Sequence, residues 1–326
     1  MELTFLRRSQ TTGGIGLFAI IRDELYFLPR FLAHYRKLGV TEFLIYDDRS
    51  VDGSTELLVA QPDCTVVTGP YNFSTAFGTT PFGLPKRLDD HAKEVLPDRF
   101  FNGRWALTVD ADEFLLLPSA FANLDALISH LDTRNLFFAA GPMVDFYPER
   151  LSALRSLQTD EDPFSFAPYF DRGPLYDRMQ DFPYVQKRLS GVRGRLLRML
   201  LEKRPDALAG ETPPVCQLFK VPLLKHGFGI SRVGSHYVNA APLGDWVALA
   251  HFKFYPRIRD KISRVLQEKQ RDAPEYRWLH KAIEQFADVS LLCEETCRFC
   301  GSASLESARL IEPVPTFVEG SPSTPA

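Results

Sequence analysis

Residues 15–21 read Ile-Gly-Leu-Phe-Ala-Ile-Ile, without one charged or hydrogen-bonding side chain, and this run limits the possible folds more than any other feature. A strand with one face in water alternates apolar and polar residues. A continuous run of strand length must be buried on both faces, as a parallel strand inside an α/β sheet is. A helix signal follows: Pro29 near a first turn, apolar Leu28, Phe31, Leu32, Tyr35 and Leu38, and Gly39 where a C-terminal cap belongs. The spacing predicts a second strand over Glu42–Tyr46 ending at Asp47-Asp48, a turn and short helix from Ser50, and a third strand over Cys64–Thr68. A Pro/Gly-punctuated loop, Gly69 to Pro85, leads to a helix over Lys86–Leu96 and a fourth strand over Trp105–Val109. Strands alternating with helices at this spacing imply right-handed βαβ crossovers, hence an α/β fold with a mostly parallel sheet flanked by helices.

Beyond Leu136 the pattern loosens. Leu136–Met143 reads as another strand, residues 145–190 have no clean period, residues 191–204 are basic, and helices are predicted over Arg259–Gln270 and Glu275–Phe286. Glu312–Ala326, rich in Pro, Ser and Thr, reads as a disordered tail. No internal repeat is present. The chain therefore divides into an N-terminal segment (1–14), a first half (15–150), a second half of the same domain with irregular insertions (151–290), and a Cys-bearing segment with its tail (291–326). With 38 Lys plus Arg against 41 Asp plus Glu, the net charge is −3, which argues against a nucleic-acid partner. No apolar run reaches the roughly 18 residues that span a bilayer. Arg7 and Arg8 before Ile15–Ile21 imitate a signal peptide, but Gly16 breaks the run and Arg22-Asp23-Glu24 closes it without a small-residue cleavage site. Five Cys, an odd number, point to a reducing compartment, and a cytoplasmic location is expected. The basic stretch at 193–204 allows peripheral contact with the inner face of a membrane, and no oligomeric state is implied.

The motif with the most chemistry follows the fourth predicted strand, where Asp110-Ala111-Asp112-Glu113 sets three carboxylates directly after Val109. In open parallel sheets, ligands bind beyond the carboxyl ends of the strands. Asp110 and Asp112, two apart on an extended segment, point to one side. Close carboxylates repel unless a cation lies between them, and a hard divalent ion that also bridges a diphosphate fits this need. Such an ion would offset charge on a departing nucleotide diphosphate. The competing reading is a solvated acidic turn, and the second acidic strand end at Asp47-Asp48 favours the ligand reading.

Ile21 to Glu24, Phe31 to Val40, Ile45 to Ser54 and Trp105 to Phe114, taken in order, resemble the nucleotide-sugar half of family-two glycosyltransferases. Within that family the similarity is to a bacterial branch whose motifs read RNE, YH..LGV, YDN.S.DG and DADEF. The resemblance implies a GT-A fold, a nucleotide-diphosphate sugar donor, and Mn²⁺ or Mg²⁺ at the Asp-x-Asp motif. By position it implies that Asp48 contacts the base or ribose, that Arg22 and Glu24 line the same pocket, and that Asp110 and Asp112 hold ribose, metal and diphosphate. Arg49 departs from the family's Asp-Asn-x-Ser turn. Asp52, before Gly53, serves either as a helix cap or as a ligand, and His34 reads as a packing histidine.

Asp145 emerges after the strand ending at Met143 and is the candidate catalytic base, since an inverting transferase needs a carboxylate to take the acceptor's proton; Glu149 is the alternative. Arg193 and Arg195, among small residues, match phosphate oxygens and join Arg22, Glu24, Asp48 and Asp110 as nucleotide-sugar contacts, unless the stretch is a solvated loop. Lys220 to Lys225, Ser235-His236 and Leu249 to Phe254 extend the resemblance to about residue 285, where the branch reads K.PLV, S.H and LLHFKF. A late His in these enzymes supplies a further metal ligand. His251 is the first choice, beside Asp110 and Asp112, and His236 the second. Trp105, Trp246, Tyr147, Tyr169 and Tyr255 offer faces for base or sugar, although most aromatics are core.

Cys293, Cys297 and Cys300 have the spacing of an iron–sulfur motif, placed too near the end for a radical enzyme, or of a zinc site completed by His280; chance spacing is the third reading. The expected function is a metal-dependent glycosyltransferase acting on a glycan or lipid-linked acceptor. The alternatives are a nucleotidyltransferase, which should carry a Gly-rich phosphate loop after its first strand where this chain has Arg22-Asp23-Glu24, and a non-catalytic carbohydrate-binding module.

Overall fold

A computed structural model of the protein describes residues 1–79, 85–155, 161–173, 175, 177–178, 185–186, 190–209, 218–240, 247–268, 273–286 and 288–311. One mixed sheet organises the chain. Its strands are β1 (Thr4–Arg7), β2 (Ile15–Ile21), β3 (Val40–Asp47), β4 (Cys64–Thr68), β5 (Trp105–Thr108), β6 (Glu113–Leu116), β7 (Phe138–Asp145), β8 (Phe219–Lys225) and β9 (Ala248–His251), in the order β1-β4-β3-β2-β5-β8-β7-β9-β6. β2, β3, β4, β5, β7 and β9 run one way, and β1, β6 and β8 run the other. The α/β architecture, a mostly parallel sheet flanked by helices, is the one expected.

The apolar run of β2 is buried on both faces, as its composition demands. Leu17, Ala19 and Ile21 belong to the large core that also holds Phe31 and Tyr35 of α1 (Leu28–Leu38) and Leu58 of α2 (Ser54–Val59). Phe18 and Ile20 turn to the opposite face, against Leu88, Ala92, Leu96 and Phe101 of α3 (Leu88–Phe101). Gly39 ends α1 in the left-handed region at φ 108°, which a residue without Cβ adopts without strain. Tyr35 and His34 of α1 brace β6: the Tyr35 hydroxyl donates to the Glu113 carbonyl at 2.9 Å, and His34 Nε2 lies 2.8 Å from the Leu115 carbonyl. His34 is thus the packing residue expected.

α4 (Leu124–Thr133), α5 (Gly191–Lys203), α6 (Ile258–Gln267) and α7 (Ala273–Gln285) complete the large core. The basic stretch is a helix and not a loop: Val192, Leu196 and Leu200 form one buried stripe of α5, so the arginines lie on a packed element. β1 adds an edge strand to the segment read as N-terminal extension. The Pro-rich tail, Trp246 and Leu189 lie outside the described residues. Among the described residues, no helix is long and apolar enough to cross a membrane.

Candidate active site

The direction of the strands gathers the polar residues on one edge of the sheet. β2, β3, β5, β7 and β9 all end there, delivering Arg22 to Glu24, Asp47-Asp48, Asp110 to Asp112, Asp145 and His251, while the reversed strands β6 and β8 start there with Glu113 and Lys220. The register aligns His251 with Asp145 on one side and with Glu113 on the other.

Asp112, His251 and Asp145 form a chain. Asp145 Oδ1 accepts from His251 Nδ1 at 2.7 Å, and this leaves Nε2 facing Asp112 Oδ2 at 4.0 Å. The carboxylate on Nδ1 fixes the orientation of the His251 ring. Asp145 Oδ2 accepts from Arg193 Nε at 2.6 Å, and Arg193 Nη1 reaches Glu275 at 2.7 Å. Burial pushes the Asp145 carboxyl up, but Arg193 and His251 outweigh it and hold the group well below the usual carboxylate range. A carboxylate so engaged takes up a proton poorly, and Asp145, the expected catalytic base, is tied on both oxygens to Arg193 and His251. Glu149 is exposed at the surface.

Asp110 faces ammonium groups. Lys93 Nζ lies 2.6 Å from its Oδ1 and Lys220 Nζ 3.1 Å from its Oδ2, with Lys220 also donating to Glu113 at 2.6 Å. Lys93 and Lys220 are 3% and 0% exposed. Burial raises the Asp110 carboxyl, but Lys220 and Lys93 pull it well below its ordinary value. Asp110 and Asp112, two apart in sequence and expected to point to one side, therefore have different partners. Asp112 shares Lys261 of α6 with Glu24, at 3.3 and 2.9 Å. Burial pulls the Lys261 ammonium down, yet Asp112 and Glu24 hold it well above the ordinary lysine value. Among the described residues, no group of three or more His, Cys, Asp and Glu side chains converges as metal ligands do. Of the three ligands expected, Asp112 and His251 face each other, and Asp110 is turned to the two lysines.

Asp48 sits 1% exposed, with Oδ2 accepting from the Phe73 amide at 2.9 Å and Oδ1 without a hydrogen-bond partner among the described residues. Burial pushes its carboxyl up to about 6, against the pull of the Phe73 amide and of Arg22, whose Nη1 is 3.7 Å away. Arg22 itself pairs with Glu268 at 2.5 Å. Asp23, at φ 54°, accepts from the Val51 amide at 2.7 Å and from Arg264 of α6, so the first strand end is bolted to α6. Asp52 accepts from the Ser54 and Leu25 amides, both at 3.0 Å, while the N-cap position of α2 itself is Gly53.

The remaining candidates lie apart. Arg195 donates to Asp171 and, at 2.6 Å, to the Leu291 carbonyl, with its guanidinium over the Tyr147 ring. His236 Nδ1 is 2.9 Å from the Phe219 carbonyl, and burial together with Lys220 pushes its pKa down to about 3. Trp105 and Tyr255 are core residues, 6% and 4% exposed. Cys293, Cys297 and Cys300 are free thiols. Sequence reasoning missed Lys93 and Lys261; Lys220, noted only within its motif, carried a signal in its position inside an apolar run.

No protein-family model matches the chain, and no curated protein does. Among solved structures, the crystal structure of S. aureus TarS resembles part of it, at 13% identity and a TM-score of 0.28, over 41% of this chain. The match covers 21% of that chain, and a likeness of this size carries no functional weight.

Proposed function

We propose that the protein is a GT-A-type glycosyltransferase that moves a sugar from a nucleotide-diphosphate donor to a glycan or lipid-linked acceptor, with Mn²⁺ or Mg²⁺ at Asp112 and His251. The observation that carries this reading is the Asp112–His251–Asp145 chain, with Oδ2 and Nε2 4.0 Å apart at the carboxyl edge of the sheet. One carboxylate and one imidazole with its far nitrogen fixed suit a hard cation that takes its other ligands from phosphate oxygens and water. When bound, that cation would neutralise charge developing on the nucleotide-diphosphate leaving group.

The chain's own residues divide the remaining work. Asp48 Oδ1, buried and without a hydrogen-bond partner among the described residues, offers an acceptor to a base N–H or a ribose hydroxyl. Arg22, held on Glu268, stands beside it. Lys93 and Lys220 keep Asp110 ionised, Lys220 also pairs with Glu113, and both add positive charge beside a diphosphate. Arg193 locks Asp145, which in turn sets the ring of His251. A thermal-shift screen of nucleotide sugars with and without Mn²⁺ tests the reading, since a ligand bound to the native state raises apparent stability by mass action. A shift that needs both sugar nucleotide and metal is expected; none with any donor would refute it.

A further inference from the structure

We infer that Lys261 is a resident counter-ion that occupies the cation position at Asp112 and is exchanged for the divalent ion when the donor binds, turning then toward the diphosphate. The inference rests on the donor-site reading above. Lys261 Nζ lies 3.3 Å from Asp112 Oδ2, the same oxygen that lies 4.0 Å from His251 Nε2. The ammonium and a metal bound by those two residues thus compete for one oxygen, where two cations would repel strongly in a partly buried setting.

The geometry allows the exchange. The Lys261 contact with Glu24 Oε1, at 2.9 Å, is shorter than that with Asp112, so the ammonium can stay tethered to Glu24 while it releases Asp112. A lysine is a point charge on a flexible stem and needs no fixed fork geometry to find a new anionic partner. The helix that carries it is anchored independently: Arg264 holds Asp23 and, at 3.1 Å, the Arg22 carbonyl, and Glu268, just beyond the helix, pairs with Arg22 at 2.5 Å. Releasing Asp112 therefore does not loosen α6. The Lys261 side chain is 18% exposed, against 3% for Lys93 and 0% for Lys220, so of the three ammonium groups on the acidic motif it is the one with access to an arriving ligand. The consequence is synergy: metal alone meets a site already neutralised, and metal with diphosphate meets one in which the displaced ammonium gains a new partner.

The test titrates Mn²⁺ into wild type, K261M, K261R and E24Q without nucleotide, reading free Mn²⁺ by electron paramagnetic resonance, with circular dichroism to check folding. K261M should bind Mn²⁺ at least about tenfold tighter than wild type, because a cation close to the ligand oxygen is gone. K261R should stay near wild type, and E24Q, which leaves Lys261 to Asp112 alone, should bind more weakly. With saturating Mn²⁺, K261M should bind UDP or GDP about tenfold less well, the loss of one phosphate-facing charge. Unchanged or weaker Mn²⁺ binding by folded K261M would overturn the inference, and if K261M does not fold, unchanged or tighter binding by E24Q would do the same. Those results leave the donor site standing if wild type binds Mn²⁺ and nucleotide. Failure of wild type to bind either would overturn both.

Discussion

Replacing Asp48 by Asn removes a carboxylate that the fold holds against its own preference. Burial pushes the Asp48 carboxyl up to about 6 from the usual 3.8, and its Oδ1 has no partner among the described residues. A folded-state pKa above the unfolded value means that the native state holds the proton more tightly. Asp48 therefore adds stability that is fully present below about pH 4 and is lost as pH rises through about 6. The difference of roughly two pKa units corresponds to about 3 kcal/mol, an upper bound once relaxation near Arg22 is allowed for, so about 2 kcal/mol is expected. Urea unfolding of wild type and Asp48→Asn between about pH 4 and pH 8 reads this directly. Whatever constant offset the amide brings, the stability of Asn relative to Asp should climb by about 2 kcal/mol across that range, mostly between pH 4 and 6. A flat difference would refute the reasoning, and with it the picture of Asp48 as an unsatisfied acceptor awaiting a ligand.

Lys220→Met leaves Glu113 and Asp110 without their shared ammonium and should cost about 3–5 kcal/mol in chemical denaturation; adding Glu113→Gln should restore much of it, and strictly additive losses would contradict the pairing. Asp145→Asn weakens the hold on the His251 ring and should lower Mn²⁺ affinity by about 10- to 100-fold in a metal titration, with helical circular dichroism retained. Unchanged affinity would mean that His251 does not bind the ion. Arg195→Met uncovers the buried Asp171 carboxylate and should lower the thermal midpoint measurably, since a buried charge is left without its partner; an unaltered melting curve would show that the pair contributes nothing.

Much of the sheet was legible because its strands obey one rule. β2 is apolar throughout, since helices cover both of its faces, and α1 shows its period, its Pro and its terminal Gly within one continuous segment. β8 was not legible as a strand: Pro222 breaks the pattern, and the carboxylates that Lys220 meets lie more than 100 positions away in sequence. α5 was obscured for a related reason. Gly191, Gly194 and its arginines suggest a flexible basic loop, but Arg193 is one of its buried residues, paired with Asp145 and Glu275. The same limit governs the site. Asp112 and His251 stood out because strand ends collect functional groups, whereas Lys93 and Lys261 come from helices whose sequences carry no sign of which carboxylates they meet. The sequence motif showed the acidic half of the site, and the fold supplied the ammonium groups that balance it.

The central claim, a divalent cation shared between Asp112, His251 and a nucleotide diphosphate, is tested most directly by calorimetric titration of UDP and of GDP with and without Mn²⁺. Wild type should bind one of the two in a Mn²⁺-dependent way, and folded Asp112→Asn should bind it at least about tenfold more weakly, the scale of one lost charged ligand. Binding of neither nucleotide, or equal binding by Asp112→Asn, would contradict the account.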